Sequence, residues 1–183
     1  MKPLILLSLL SLFANLGPQK DDIQVYFFLG EECLISQYYT LTIRNLWQDY
    51  ADERVTFIGL FPNPSSSPDK MASFKAKYQL PFQLLLDEQQ QKMNAFGVQV
   101  TPEVVVYNKN KERILYQGRI DNTYFRVGKR RSVTTTSELE DVLKAIHSGS
   151  PIAVQTTQPV GCFITKLNPL LPNAPMCKPV SNR

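Results

Sequence analysis

The chain has 183 residues, enough for one domain with a core of ordinary size. Its 43% hydrophobic and 20% charged residues and formal net charge of +4 read as a globular protein. The densest positive cluster, Lys129-Arg130-Arg131 beside Arg126, is too short for a nucleic-acid surface and reads as a solvated loop, so no nucleic-acid partner is expected.

In chain order, the first element is a targeting segment. Lys2 supplies a positive n-region, Leu4 to Phe13 is apolar apart from two serines, and the small residues Ala14 and Gly17 follow. About ten apolar residues are too few to span a bilayer, which needs about twenty. A signal peptide over 1–17 is therefore expected, with an uncleaved anchor helix as the alternative. Export to a periplasm or the extracellular space follows, with no stable membrane insertion once the signal is removed.

Residues 18–149 alternate strand and helix patterns. Ile23 to Leu29 reads as a buried strand, and Ile35 to Ala51 carries apolar residues at helical spacing. Val55 to Phe61 is a second strand. A proline- and serine-rich loop leads to a helix over Asp69 to Tyr78, opened by Ser67 or Pro68. Phe82 to Leu86 is a short strand, followed by a glutamine-rich helix reaching Phe96-Gly97-Val98. Glu103–Tyr107 and Arg113–Gln117 flank a turn-like Asn108-Lys109-Asn110-Lys111 and predict an antiparallel hairpin. Residues 118–135 show no period. Thr136 or Ser137 opens a last helix that Gly149 ends. Residues 150–183 form a proline-rich tail, docked on the domain or partly disordered. The order implies an α/β mixed sheet flanked by helices, with parallel crossovers early and antiparallel strands late.

Cys33 stands where the first strand gives way to the first helix. A helix start offers unpaired N–H groups and the positive end of the macrodipole, and both favour a thiolate. Cys33, Cys162 and Cys177 would meet an oxidising compartment after export, and an odd count leaves at least one thiol unpaired within the chain. Two pairings stay open. Cys162 could fold back to Cys33, since an extended tail from Ser150 to Gly161 reaches about 35–40 Å. Alternatively Cys162 and Cys177 could close a short tail loop and leave Cys33 free. Glu31 and Glu32 are either local proton carriers or solvated charges. His147, the one histidine, suits a helix C-terminus. With one histidine and no Cys-x-x-Cys, no zinc site, haem or other cofactor is expected.

Several separated pieces together resemble the peroxiredoxin-like redoxins (alkyl hydroperoxide reductase and thiol-specific antioxidant type) of the thioredoxin superfamily. They are Cys33-Leu34-Ile35-Ser36, Leu84-Leu85-Leu86-Asp87 and Gly97-Val98-Gln99-Val100-Thr101-Pro102-Glu103. Gly118-Arg119-Ile120-Asp121-Asn122, Gly128-Lys129-Arg130-Arg131 and Val160-Gly161-Cys162 are similar to an exported subgroup. The resemblance implies a thioredoxin-like fold with an inserted strand–helix unit near 82–98. It also implies a cis Pro102 packed against Cys33, with Thr101 offering its backbone to an incoming chain. Ser36 stands where relatives hold a second cysteine, so this site alone cannot cycle as a dithiol. Gly30 stands where peroxiredoxins carry a threonine, and their arginine has no counterpart.

The expected activity is exported thiol–disulfide oxidoreduction, with Cys33 as nucleophile and Cys162 as the resolving thiol. Ser36, Thr101, Pro102 and Arg119 would contact substrate, Arg119 through a carboxylate unless it pairs with Asp121. Expected partners are a protein or small-molecule disulfide or peroxide and an external thiol reductant. The alternatives are a thiol peroxidase with the same cysteine, or a non-catalytic module holding an extended partner or Cu(I) through Cys33 and Cys162.

Overall fold

The computed structural model describes residues 21–167. The expected signal peptide over 1–17 and Cys177 lie outside the described residues.

The central strand β1 (Ile23–Phe28) is apolar on both sides because both faces of its sheet are covered. Ile23, Val25 and Phe27 point into the larger core with Leu29 beyond the strand, whereas Tyr26 and Phe28 point into a second cluster on the opposite face. β1 runs parallel to β2 (Val55–Phe61), which runs parallel to β3 (Gln83–Leu86). On its other side β1 pairs antiparallel with β5 (Glu103–Asn108), which pairs antiparallel with β6 (Arg113–Gly118). The short β4 (Val100–Thr101) lies outside this sheet, whose order is β3-β2-β1-β5-β6. Phe27 is fully buried and stacks on Phe57 at 5.5 Å, so truncating it to alanine would cost about 3–5 kcal/mol.

Helix α1 (Leu34–Tyr50) has no proline or glycine and buries Ile35, Tyr39, Ile43 and Leu46, one stripe at helical spacing. It ends at Ala51, after which the Asp52 carboxylate accepts hydrogen bonds from the N–H groups of Arg54 and Val55 and turns the chain into β2. Helix α2 (Pro68–Tyr78) starts as expected: Ser67 Oγ accepts from Lys70 N, and Pro68 takes the first helical position. Helix α3 (Gln91–Phe96) covers the second cluster through Met93. Helix α4 (Glu138–Ser148) adds Leu139, Val142 and Leu143 to the larger core.

One segment differs from the sequence reading. Residues 118–135, expected to be irregular, contain a ribbon of β7 (Tyr124–Arg126) and β8 (Lys129–Arg130). Its residues are mostly exposed, so burial imposes no alternation on them. Cross-links hold it instead: Asn122 Nδ2 to Thr135 Oγ1 at 2.6 Å, and the Arg130 guanidinium over the Tyr38 ring at 5.3 Å. The tail from 150 to 167 is docked. Gly118, at φ +150°, has no room for a Cβ because Thr157 packs on it, and Thr157 Oγ1 meets both Tyr116 OH and Arg119 N. Farther on, β9 (Cys162–Phe163) pairs antiparallel with β4, and Ile164 is buried in the second cluster. The tail is thus a strap laid over the end of the sheet where β1 meets α1.

Candidate active site

Cys33 is the N-cap of α1 and sits in extended backbone at φ −79° and ψ 111°. Its N–H bonds back to Gly30 O at 3.1 Å, closing the turn through Glu31 and Glu32 that ends the apolar run of β1. The side chain is only 5% exposed. Across from it the Thr101–Pro102 peptide is cis, and Cys33 Sγ lies 3.1 Å from Thr101 O.

The strap brings the second sulfur to the first. Thr101 pairs with Cys162 in the β4–β9 ladder, and Cys162 Sγ stands 2.7 Å from Cys33 Sγ, both as thiols. A disulfide bond is about 2.05 Å long, so oxidation needs only a sub-ångström approach. Gly161 makes the placement possible, because a Cβ there would overlap the Thr101 carbonyl. After Cys162, Ile164 N donates to Gln99 O at 3.0 Å, and Gln90 grips the strap from Thr165 O and Leu167 N.

The two sulfurs differ electrostatically. Burial opposes the Cys33 thiolate, but hydrogen bonds from Cys162 and from the N–H and hydroxyl of Ser36 outweigh it and bring this thiol below its ordinary value. Cys162 is pushed up to about 12 by burial, by its hydrogen bond to Cys33 and by the charge there. Cys33 is thus the more acidic thiol of the pair and Cys162 the less acidic one.

Ser36 is fully buried, accepts from Gly30 N at 3.2 Å and hydrogen-bonds to the Cys33 sulfur, so its hydroxyl is turned inward, away from the surface. Thr101 is fully buried too, and its Oγ1 has no hydrogen-bond partner among the described residues. A Cβ on Gly30 would stand 3.1 Å from that oxygen and 3.3 Å from Cys33 Cβ, so the three residues share one small space. Arg119 is engaged elsewhere. Its guanidinium forms an ion pair with Glu138 and not with Asp121, which accepts from Tyr39 OH at 2.6 Å. Glu31 accepts from Ser66 Oγ, Glu32 pairs with Lys70, and His147 meets Leu143 O and Asp52. Among the described residues no three His, Cys, Asp or Glu side chains converge as a metal site.

Sequence reasoning missed the parts that hold the strap: Gln90, Thr157, Gly161 as a close-contact glycine, and Ile164. Only the glycine next to a cysteine carried a readable signal, since a residue without Cβ marks close backbone approach.

The family model described as AhpC/TSA matches residues 14–134, more than half of the chain. The chain belongs to the AhpC/TSA family. No curated protein matches this AhpC/TSA chain. Among solved structures it is similar to an uncharacterized conserved protein from Geobacillus kaustophilus, with TM-score 0.69, 24% identity and coverage of 85% of this chain and 81% of that one. It is also similar to a hypothetical protein from Sinorhizobium meliloti 1021, with TM-score 0.68, 20% identity and coverage of 79% and 80%. A secreted Mycobacterium tuberculosis disulfide oxidoreductase homologous to E. coli DsbE matches at TM-score 0.50 and 19% identity, covering 68% of this chain and 81% of that one. These likenesses establish the thioredoxin-like fold of this AhpC/TSA protein. The membership makes it a redoxin.

Proposed function

We propose that the protein is an exported thiol–disulfide oxidoreductase in which Cys33 is the nucleophile and Cys162 the resolving thiol. The observation that carries this reading is the facing pair of sulfurs, 2.7 Å apart, one favouring the thiolate and the other the thiol. The Cys33 thiolate attacks a substrate disulfide and expels one substrate thiolate, leaving a mixed disulfide. Cys33 then no longer carries the charge that holds the Cys162 proton, so Cys162 ionises more readily. Its sulfur attacks Cys33 Sγ, the second substrate thiolate leaves with the proton, and a Cys33–Cys162 disulfide remains. An external thiol reductant resets it. Thr101 and Pro102 border the reacting sulfurs.

Two variants test this reading. Reduced wild-type protein mixed with a disulfide-linked model peptide should release two thiols per chain. Cys162→Ser should release one and stop at the mixed disulfide, and Cys33→Ser should release none. A Cys33→Ser protein with the wild-type yield would overturn the assignment.

One observation favours a second reading, thiol peroxidase. The buried, unpartnered Thr101 hydroxyl beside Gly30 and Cys33 supplies a polar atom where a small oxidant could lodge. The thiolate would take one peroxide oxygen as a sulfenic acid and release an alcohol or water, and Cys162 would condense with it to a disulfide and water. Stopped-flow reaction with hydrogen peroxide decides between them: the rate of an ordinary unactivated thiol excludes the peroxidase.

Export is supported by the Lys2 and Leu4–Phe13 pattern, and no helix among the described residues is long and apolar enough to cross a membrane. A signal over 1–17, a redoxin domain over 18–149 and a tail over 150–183 is the organisation that goes with it. Amino-terminal sequencing of the exported protein checks the first boundary.

A further inference from the structure

The β7–β8 ribbon carries positive charge that nothing around it neutralises. Every residue from 125 to 136 is exposed, and the chain has no acidic residue between Asp121 and Glu138. Arg126, Lys129, Arg130 and Arg131 place four positive charges within six positions, a total equal to the formal net charge of the whole chain. None of the four forms an ion pair among the described residues. Strands of two or three residues span about 10 Å or less, so these charges lie within about one Debye length of each other and act together.

The ribbon is firm at its base and free at its turn. Thr123 N donates to Asp121 Oδ1 at 2.7 Å, Arg131 N donates to Thr123 O at 2.7 Å, and the Thr123 and Thr134 hydroxyls meet at 2.5 Å. Toward the tip such contacts end. Gly128 takes φ +73°, and a Cβ built on it would meet nothing within 4 Å. Phe125 and Val127, on either side of Arg126, are 50% and 62% exposed. The Arg131 guanidinium lies over the Phe125 ring at 5.3 Å, so positive charge is held beside the exposed apolar side chains.

We propose that the ribbon attaches the protein to anionic phospholipid surfaces: Phe125 and Val127 enter the headgroup layer while Arg126, Lys129, Arg130 and Arg131 meet the lipid phosphates. The attachment is peripheral and uses neither Cys33 nor Cys162.

The chemistry of the patch selects that partner. Three of its four cations are arginines, whose planar fork matches phosphate oxygens. Phosphates are borne by lipids and by nucleic acids. Nucleic acid offers an aliphatic turn such as Val127 nothing to bind, since unpaired bases are met by aromatic rings and by hydrogen-bonding groups. Just below lipid phosphates lies the acyl boundary, which takes apolar side chains. An acidic protein would need a pocket shaped to the projecting turn, and a headgroup layer does not. Peripheral binding strengthens with buried apolar area and with attraction to anionic lipid, and the ribbon supplies both.

The test is co-sedimentation of the exported protein with vesicles of phosphatidylcholine, with and without phosphatidylglycerol. Phosphatidylglycerol should tighten binding at least about tenfold at low salt. Raising salt from about 0.1 to 1 M, which shortens the Debye length from about 10 to 3 Å, should remove most of that gain. A cation near an anionic bilayer is worth about fivefold in affinity, so Arg126→Ala with Lys129→Ala should lose about 25-fold at low salt. Phe125→Ala with Val127→Ala should lose about tenfold, and salt should not restore it. Both double variants change exposed side chains only, so far-ultraviolet circular dichroism should stay that of the wild type. In Val127→Trp, the added emission should shift to the blue on anionic vesicles and be quenched by brominated acyl chains. Equal binding to the two kinds of vesicle, or undiminished binding by the Arg126 and Lys129 double variant, overturns the anchor. So does a DNA duplex or poly-glutamate that binds as tightly as anionic vesicles when loss of Phe125 and Val127 leaves vesicle binding unchanged. The ribbon would then be a patch for any polyanion. None of these outcomes bears on the thiol–disulfide reading.

Discussion

Gly161 lies against the carbonyl of Thr101 so closely that the strap admits no side chain at that position. The contact sets the distance between the two sulfurs, because Cys162 follows directly and pairs with Thr101. Gly161→Ala must push the strap outward, an overpacking that costs about 1–3 kcal/mol. The core of the domain does not depend on this contact. Disulfide formation under a mild oxidant should therefore slow by about tenfold or more, while far-ultraviolet circular dichroism stays that of the wild type. Thiol loss followed by alkylation and gel shift measures the rate.

The acidity of Cys33 comes from identifiable donors. Removing the Cys162 sulfur or the Ser36 hydroxyl takes away hydrogen bonds that favour its thiolate. Alkylation of Cys33 by iodoacetamide, followed against pH, should show a midpoint below 9.0 in the reduced wild type. The midpoint should rise in Ser36→Ala, and rise further in Cys162→Ala, since the Cys162 contact is the strongest of the favourable ones. An unchanged midpoint in both variants would mean that neither the Cys162 sulfur nor the Ser36 hydroxyl is what lowers it.

Stability of the reduced protein should depend on pH through the same pair, which titrates as a unit. Cys33 is lowered in the folded state, so between its folded value and 9.0 the unfolded chain holds more protons and stability rises with pH. That contribution is complete above 9.0 and is lost as pH falls through the folded value of Cys33. Cys162 is raised to about 12, so from 9.0 to about 12 the folded chain holds more protons and its contribution declines as pH rises. The difference in melting temperature between wild type and a Cys33→Ser, Cys162→Ser double variant should therefore peak near pH 9. A difference that falls steadily from pH 6 would mean that folding lowers neither thiol of the pair.

What the sequence disclosed follows from which interactions leave a pattern. β1 and α1 were readable because burial marks them, as a continuous apolar run in Val25–Phe28 and at every third or fourth residue in Ile35–Leu46. Cys33 was readable because its chemistry follows from a local junction. Cys162 was visible as a candidate only, since its partner depends on how residues 150–161 cross the domain. That path is fixed by single contacts, such as Thr157 on Gly118, Gly161 on Thr101 and Gln90 on Thr165, which repeat nothing. The ribbon at Tyr124–Arg130 was invisible for a related reason: its cation–ring and threonine contacts impose no alternation of apolar and polar residues. The ion-pair partner of Arg119 was not readable, because Glu138 lies in another element while Asp121 is nearer in sequence.

The strap is anchored on both sides of Cys162, and this predicts a non-additive pair of substitutions. Before the cysteine, Thr157 bonds to Tyr116 OH at 2.6 Å and to Arg119 N at 3.0 Å. After it, Ile164 is only 7% exposed within the second cluster. Ile164→Ala removes buried apolar contact worth about 2–5 kcal/mol, and Thr157→Val removes hydrogen bonds worth about 1 kcal/mol each. Either anchor alone still confines Cys162 near Cys33, so each single variant should form the disulfide within a few-fold of the wild-type rate. With both gone the sulfur is tethered only by flexible chain, and the effective concentration falls toward that of a loose linker. The double variant should therefore lose at least about tenfold more rate than the product of the single effects, and hydrogen exchange should show fast-exchanging amides at Cys162 and Ile164. Rates that simply multiply would mean that one anchor sets the position of Cys162 by itself.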